Sequence, residues 1–226
     1  MKEYGVFDII GPIMIGPSSS HTAGAARLGK VAAAVAGEPI KKVEFLLHGS
    51  FSSTYIGHGT DRALTAGILG FDPWDERLKD ALTIAKEIGI EVVFTKSDLG
   101  DVHPNTVKVI MTTATGKTVE VMGSSIGGGS IQISEVDGEK VEFNGEYPTL
   151  IIKHRDIPGM ISKISAIISE ANVNIAFLKV LRKAKGEIAI MVFETDTLVP
   201  EWAVEKIHKT GNVESIRVIN STKKGA

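Results

Sequence analysis

Three short segments in the first third of the chain combine histidine with glycine and hydroxyl side chains. They are residues 16–24 (GPSSSHTAG), 48–54 (HGSFSST) and 57–62 (GHGTDR). Two of them lead into helical patterns, and hydroxyl groups at a helix N-terminus are suited to binding a carboxylate or a phosphate. A histidine beside such a group can transfer a proton near neutral pH. Together the segments predict a site for a small anionic compound whose reaction moves a proton.

Each segment also has a structural interpretation when it is taken alone. The serines at 18–20 are typical caps of the helix that follows them, and His48 ends an apolar strand, where it would be a satisfied core histidine. His58 would then be a surface residue. The occurrence of all three segments within residues 16–62 favours a shared site over three unrelated features.

The neighbours of the two other histidines suggest different roles. Asp61 follows His58 by three residues, which is one helical turn if the helix has already begun at His58, and its carboxylate would then fix the tautomer of the ring. His21 lies between hydroxyl residues that suit a substrate carboxylate. We predict His58 and His21 as catalytic, with proton transfer at His58, although which of them is the base stays open. The predicted substrate contacts are Ser18, Ser19, Ser20, Thr22, Thr60 and Asp61.

Two other classes of site are disfavoured by spacing. A hydrolase that uses Ser20 and His21 would be expected to show a G-x-S-x-G nucleophile turn, which the sequence lacks. The GGGS segment at 127–130 lies between strand patterns and has no G-x-G-x-x-G spacing, so a dinucleotide site has poor support.

The amino-acid composition disfavours several classes of binding partner. The 226 residues are 43% hydrophobic and 23% charged with a net charge of −2, so there is no basic field for nucleic acid. The apolar stretches are far shorter than the roughly 20 residues of a membrane helix, and MKEYGVFDII lacks the apolar core of a secretion signal. We expect a cytoplasmic protein. There is no cysteine, which excludes disulfides, thiolate nucleophiles and cysteine-held metal within this chain but not in a partner.

The first part of the chain reads as mixed α and β. Helical patterns cover residues 22–36, 53–69 and 75–89, an apolar strand covers 42–49, and strands separated by turns run from about 107 to 143. The third helix should bury one stripe, formed by Leu78, Leu82, Ala85 and Ile88.

The second part alternates strand and helix in the order βαββαβ. Four strands and two helices in this order form one antiparallel sheet with both helices on one face. Turn signals at 137–140 and 144–148 precede it, so we place a boundary near Glu146. The predicted class is α+β with two domains, a mixed α/β domain over residues 1–146 and a βαββαβ domain over residues 147–226.

Within the second part, HRDIPG at 154–159 and NVNIA at 172–176 resemble the ACT domain, a regulatory amino-acid-binding module. The resemblance implies a ligand site at His154, Asp156 and Asn174, shared across an interface between two ACT copies. Asp156 stands where serine-sensing members usually have asparagine, so serine, another amino acid and a cation all stay open as the ligand. A turn and helix cap in a domain that only dimerises is the alternative.

The whole pattern, VFDIIGPIMIGPSSSHTAGAARLG, LHGSFSSTYIGHGTDRA and then an ACT module, resembles the beta chain of iron–sulfur-dependent L-serine dehydratase. The first part also resembles the allosteric substrate-binding domain of some phosphoglycerate dehydrogenases. The resemblance implies a lyase (an L-serine ammonia-lyase) that makes pyruvate and ammonia in amino-acid degradation and gluconeogenesis. It also implies a partner alpha chain that holds a [4Fe-4S] cluster, with no metal in this chain. A non-catalytic amino-acid-sensing module is the alternative.

Overall fold

The computed structural model describes residues 13–182 and 184–220. The chain forms two compact units, Met1–Gly138 and Glu139–Ala226. The sequence predicts a boundary near Glu146, and strand β6 (Glu139–Phe143), which precedes that point, belongs to the second unit. The N-terminal segment MKEYGVFDII and the first residues of the long motif that begins at Val6 lie outside the described residues.

The first unit layers helices on a sheet whose strands lie in the order β2-β1-β3-β4-β5. Strand β2 is parallel to β1, and the other pairs are antiparallel. The elements are a π-helix (Ser19–Gly24), α1 (Ala25–Ala36), β1 (Ile40–Leu47), α2 (Gly49–Thr54), α3 (Thr60–Ile68), a 3₁₀ turn (Glu76–Asp80), α4 (Ala81–Glu87), β2 (Glu91–Lys96), β3 (Thr106–Thr113), β4 (Thr118–Gly127) and β5 (Ser130–Val136).

Helices α1 and α3 approach each other at backbone contact distance. A Cβ atom built on Gly67 would lie 2.1 Å from the carbonyl oxygen of Ala26, and one on Gly29 would lie 2.2 Å from that of Leu64. This close crossing explains why both helices are built from alanine and glycine. Because the π-helix leads directly into α1 and contacts α3, the crossing also brings the 16–24 segment to the start of α3.

The predicted helices are confirmed in place but are less regular than expected. The first begins as a π-helix and ends at Gly37, which has a left-handed φ of 69°. The pattern at 53–69 is interrupted by a turn that ends at Gly59, with φ 70°, where α3 begins. None of the helices in the described part of the chain has the length and apolar character to cross a membrane.

The buried stripe predicted for the third helix is confirmed at Leu78 and Ala85, only partly buried at Leu82 and wrong at Ile88. Ile88 is 61% exposed, because α4 ends at Glu87 and the chain turns at Gly89 with φ 81°. The 3₁₀ turn shifts the helix phase, so Leu78 and Ala85 are buried as predicted while Ala81 joins them.

The second unit has the predicted βαββαβ order after β6. The elements are β7 (Thr149–Arg155), α5 (Met160–Glu170), β8 (Ile175–Arg182), β9 (Ile188–Thr195), α6 (Glu201–His208) and β10 (Val213–Ile219). The strand order is β10-β7-β9-β8 and every pair is antiparallel. One core holds both helices against the sheet, with Ile152 and Phe193 from the strands and Ile164 and Ile207 from the helices. The α+β class is confirmed.

Candidate functional site

The π-helix fixes the position of His21. Ser18 lies just before it in an extended conformation, and its hydroxyl accepts a hydrogen bond from the backbone N–H of His21 at 3.3 Å. A π-turn carries more residues than an α-turn, is rare in proteins and is frequently found at functional sites. The helix leaves His21 9% exposed and Thr22 fully buried, while Ser19, its first residue, is partly buried.

Three hydroxyl groups surround the imidazole of His21. The ring atom Nδ1 lies 3.1 Å from Oγ of Ser20 and 3.4 Å from Oγ of Ser18. The other nitrogen, Nε2, lies 3.1 Å from Oγ of Ser50, in the first turn of α2. The first two segments therefore meet at one ring. Ser50 lies in the HGSFSST segment but was not among the site residues predicted from the sequence.

His58 completes the meeting of the three segments. Its ring centroid is 4.9 Å from that of His21, and the ring centroid of Phe51 is 5.3 Å from that of His21 in an edge-to-face arrangement. Burial lowers the pKa of His21, and the positive charge of His58 lowers it further. Near neutral pH the His21 ring is therefore uncharged, so its two nitrogens are one donor and one acceptor.

Asp61 does not face His58. Its carboxylate accepts a hydrogen bond from the backbone N–H of Arg62 at 2.8 Å, and burial raises its pKa. Asp61 is the second residue of α3, so its short side chain folds back on the N–H groups at the start of its own helix. The structure therefore shows no hydrogen bond between Asp61 and His58 that would fix the tautomer of the His58 ring.

A cavity of about 170 Å³ opens beside His58. It is lined by Thr22 and by residues of the GHGTDR segment, and two of the lining side chains, Arg62 and Lys79, are cationic. Within the described residues, the buried hydroxyls of Thr22 and Thr60 have no hydrogen-bond partner. The predicted contacts Thr22 and His58 are therefore brought together around one space.

His48 lies apart from this cavity lining and holds the end of β1 to a loop. Its Nδ1 accepts a hydrogen bond from the backbone N–H of Leu99 at 3.1 Å and is 3.6 Å from the carboxylate of Asp98. The structural interpretation of this histidine fits these contacts.

A second candidate site lies in the second unit, in a groove of about 720 Å³ at the start of α5. His154 and Asp156 both line it. His154 is 2% exposed, and its Nδ1 donates a hydrogen bond to the carbonyl of Arg155 at 2.7 Å, which leaves Nε2 buried with no partner in the described residues. Asp156 accepts from the backbone N–H of Gly186 at 3.1 Å and from Arg182 at 3.0 Å, and these two contacts lower its pKa.

Asn174 is not part of that groove within one chain. Strands β7 and β8 both run antiparallel to β9, so they are parallel to each other and both end near Ile188. His154 lies near the C-terminal end of β7. Asn174 precedes the first residue of β8, at the opposite end of the sheet, and its side chain donates to Asp196 at 2.7 Å. The three predicted ACT ligand residues therefore do not meet in one chain.

The described residues offer no set of ligands for a metal cluster. The chain contains no cysteine, and residues 13–182 and 184–220 contain no group of three or more histidine, aspartate or glutamate side chains that could hold a metal ion. A [4Fe-4S] cluster does not fit the residues present.

Comparison with known proteins gives two families. Residues 5–89 match the family described as "Serine dehydratase beta chain" and residues 148–218 match "ACT domain". The chain is 41% identical over 219 residues to the "Probable L-serine dehydratase, beta chain" of Bacillus subtilis (strain 168), covering 97% of this chain and 99% of that relative. It is 43% identical over 202 residues to the "L-serine dehydratase, beta chain" of Peptoniphilus asaccharolyticus, covering 89% and 91%.

A different kind of relative shares only part of its length. The chain is 35% identical over 143 residues to the "D-3-phosphoglycerate dehydrogenase" of Methanocaldococcus jannaschii, which covers 63% of this chain and 27% of that protein. The first two relatives match along nearly their whole length, so they carry the assignment.

Proposed function

Since the chain belongs to the L-serine dehydratase beta-chain family, as a subunit of a lyase, we propose that it supplies substrate-binding and proton-transfer groups to an enzyme that converts L-serine to pyruvate and ammonia. One observation carries this proposal. His58 lines a small cavity, and the ring of His21, from a separate segment, lies 4.9 Å from that of His58 between centroids. A site of this size suits a small amino acid.

The reaction sets two demands on these residues. L-Serine must lose the proton on its α-carbon and the hydroxyl on its β-carbon, and the aminoacrylate that results tautomerises and hydrolyses to pyruvate and ammonia. Removal of the α-proton needs a positioned base. His58, which lines the cavity, is that base in our proposal. His21, held by the hydroxyls of Ser18, Ser20 and Ser50 and uncharged at neutral pH, lies beside that base and positions its ring.

We assign the [4Fe-4S] cluster to a partner alpha chain. This chain has no cysteine and its described residues offer no ligand group, so none of the roles given to it depends on the cluster. Such a cluster supplies a Lewis acid when it is bound. We place the complex in the cytoplasm, in amino-acid degradation that feeds gluconeogenesis through pyruvate.

The ACT domain is the regulatory part of this proposal. His154 lines a groove of about 720 Å³, and its buried Nε2 has no partner in the described residues. In this tautomer Nε2 is an acceptor, and the ammonium group of an amino acid would supply the missing donor. This groove also favours the second candidate function, an amino-acid sensor without catalytic residues. The activity of the histidine variants separates the two functions.

The test is a reconstituted complex of this chain with its alpha chain, assayed anaerobically for pyruvate from L-serine. We expect no pyruvate from this chain alone. His58→Ala should lower kcat by about 100-fold or more, the scale of a lost general base, with cluster content unchanged. His48→Ala is the matched control, since His48 contacts Leu99 and Asp98 and does not line the cavity.

Three other outcomes would change the assignment. Loss of activity in His21→Ala with normal turnover in His58→Ala would reverse the two roles. Normal turnover in both variants would place the base in the alpha chain. Serine binding by a colourless homodimer that has no alpha chain and never makes pyruvate would favour the sensor.

A further inference from the structure

Two of the three serine hydroxyls predicted to bind the substrate carboxylate, those of Ser18 and Ser20, already contact His21. Oγ atoms of Ser18 and Ser20 lie 3.3 Å apart, both are within 3.4 Å of Nδ1 of His21, and Ser50 occupies Nε2 of the same ring. Each hydroxyl has a single proton to donate. A carboxylate that bound the Ser18 or Ser20 hydroxyl would compete with the contacts that orient His21, and a cationic donor would bind it more strongly.

The cavity beside His58 provides such donors. Its volume of about 170 Å³ is below the ~300–1,000 Å³ range of pockets for drug-sized ligands, so it suits a compound as small as an amino acid. Two of its lining side chains, Arg62 and Lys79, are cationic, which favours an anionic group in the ligand. The ring of His58 lines the same space.

The Thr22 hydroxyl is an independent sign that a polar ligand enters this cavity. Thr22 is 1% exposed, lines the cavity and has no hydrogen-bond partner within the described residues. A buried hydroxyl without a partner costs free energy of folding, so native structures contain few of them. A ligand oxygen in the cavity would accept the missing hydrogen bond.

Arg62 is the donor best suited to a carboxylate. Its side chain is 46% exposed, and its Nε is 4.0 Å from Oδ1 of Asp61, beyond hydrogen-bond distance. The guanidinium group presents paired N–H donors in one plane, which match the two oxygens of a carboxylate, whereas the ammonium group of Lys79 acts as a point charge. The preceding turn, with Gly59 at φ 70°, starts α3 so that Arg62 and His58 both face the cavity.

We propose that Arg62 is a substrate-binding residue of this site, which holds the α-carboxylate of the amino acid at the mouth of the cavity while the Thr22 hydroxyl donates to the same ligand from inside. This inference rests on the function proposed above and adds its carboxylate subsite. Held in this way, the amino acid presents its α-carbon towards His58. In this arrangement Ser18, Ser20 and Ser50 orient His21, and Arg62 and Thr22 bind the carboxylate.

The first test compares L-serine with L-serinamide, which keeps every group of serine but the charged carboxylate, in the alpha–beta complex. Arg62→Met should raise the KM for L-serine by about 10- to 100-fold, the scale of a lost pair of charge-assisted hydrogen bonds, with a much smaller change in kcat. The preference for L-serine over L-serinamide should fall by the same factor. Arg62→Lys should recover part of both.

Two control variants frame this test. Lys86→Met removes a cation from α4 that does not line the cavity and should leave both substrates unaffected. Lys79→Met should have a smaller effect than Arg62→Met. An unchanged substrate preference in Arg62→Met, or a larger loss in Lys79→Met, would overturn the assignment of Arg62.

The second test uses Thr22→Val, which removes the hydroxyl and keeps the shape of the side chain. Because the hydroxyl has no partner, its removal should leave the Tm of the isolated chain unchanged or raise it, while the KM for L-serine in the complex rises several-fold. A lower Tm with an unchanged KM would show that the hydroxyl serves the fold alone. If the wild-type complex makes no pyruvate at all, the proposed function fails; if it is active and only these variants behave otherwise, the carboxylate subsite fails.

Discussion

At the scale of single residues, His21 is the most constrained group of the candidate site, because three hydroxyls and two aromatic rings surround it. Its pKa lies below the ordinary value of 6.5, through burial first and the charge of His58 second. A histidine with a lowered pKa in the folded state takes up its proton more readily in the unfolded chain. Its contribution to stability is therefore present above pH 6.5 and is lost as pH falls through the lowered pKa.

The downward shift of the His21 pKa predicts how the stability of the isolated chain depends on pH. The free energy of unfolding in urea should fall between pH 7.5 and pH 5, and His21→Asn should show a smaller fall over the same range. His58→Gln should move the NMR titration of His21 to higher pH, since a positive neighbour is removed. An equal fall in wild type and His21→Asn, measured with the same denaturant series, would assign the acid sensitivity to other groups.

The sequence predicted which types of residue come together in the candidate site better than it predicted which of them are in contact. The clustering of hydroxyl, glycine and histidine residues predicted a shared site, and the structure brings the three segments together, while their role stays a prediction. The role of Asp61 could not be predicted from spacing, because three residues of separation place it near His58 only if the helix has already begun. The helix begins at Thr60, so the carboxylate of Asp61 meets the N–H of Arg62.

At the scale of elements, the crossing of α1 and α3 positions the site. Gly67→Ala would place a methyl group 2.1 Å from a backbone carbonyl that has no room to move, so we expect a loss of about 1–3 kcal/mol in the free energy of unfolding. Urea unfolding of the isolated chain measures it. Gly57→Ala is the matched control, because its Cβ would meet nothing closer than Thr54 O at 3.7 Å and its φ is not left-handed. Equal stability of both variants would contradict the close crossing.

The elements of the second unit were predictable because each is long, periodic and bounded by turn residues. The first unit departs from the sequence expectation where tertiary contacts decide the local form. The π-helix, for example, is accommodated where a Cβ on Gly24 would lie 2.0 Å from the side chain of Ser125, a contact across a hundred residues that no local pattern reveals. Strand β2 was not predicted, because its side chains are partly buried and show no clear alternation.

At the scale of the whole molecule, the ACT sheet offers an edge for self-association. Strand β8 is the last strand of its sheet and exposes Phe177, Leu178 and Val180. Unpaired apolar edges of this kind are usually paired or covered, so we expect the full chain to dimerise through β8. Leu178→Lys should raise the dimer dissociation constant at least tenfold in sedimentation equilibrium, because a charge would be buried in the interface.

The same substitution elsewhere provides the comparison. Leu198, in the loop before α6, is also exposed, and Leu198→Lys should leave the dissociation constant unchanged. A full chain that stays monomeric at high concentration, or a dimer that Leu178→Lys does not weaken, would rule out this edge as the interface.

The π-helix also bears on how homologous sequences are sorted. A π-turn holds one residue more than the α-turn it replaces, so a deletion of one residue within Ser19–Gly24 would restore regular α-helical bonding and leave Ala25–Ala36 unchanged. The ring of His21 would then turn by about 100° around the helix axis, away from Ser50 and His58. A homologous sequence with this deletion would keep the flanking motif residues and would still lose the site. The length of this segment is therefore a criterion for separating working copies from degenerate ones that residue identity alone would miss.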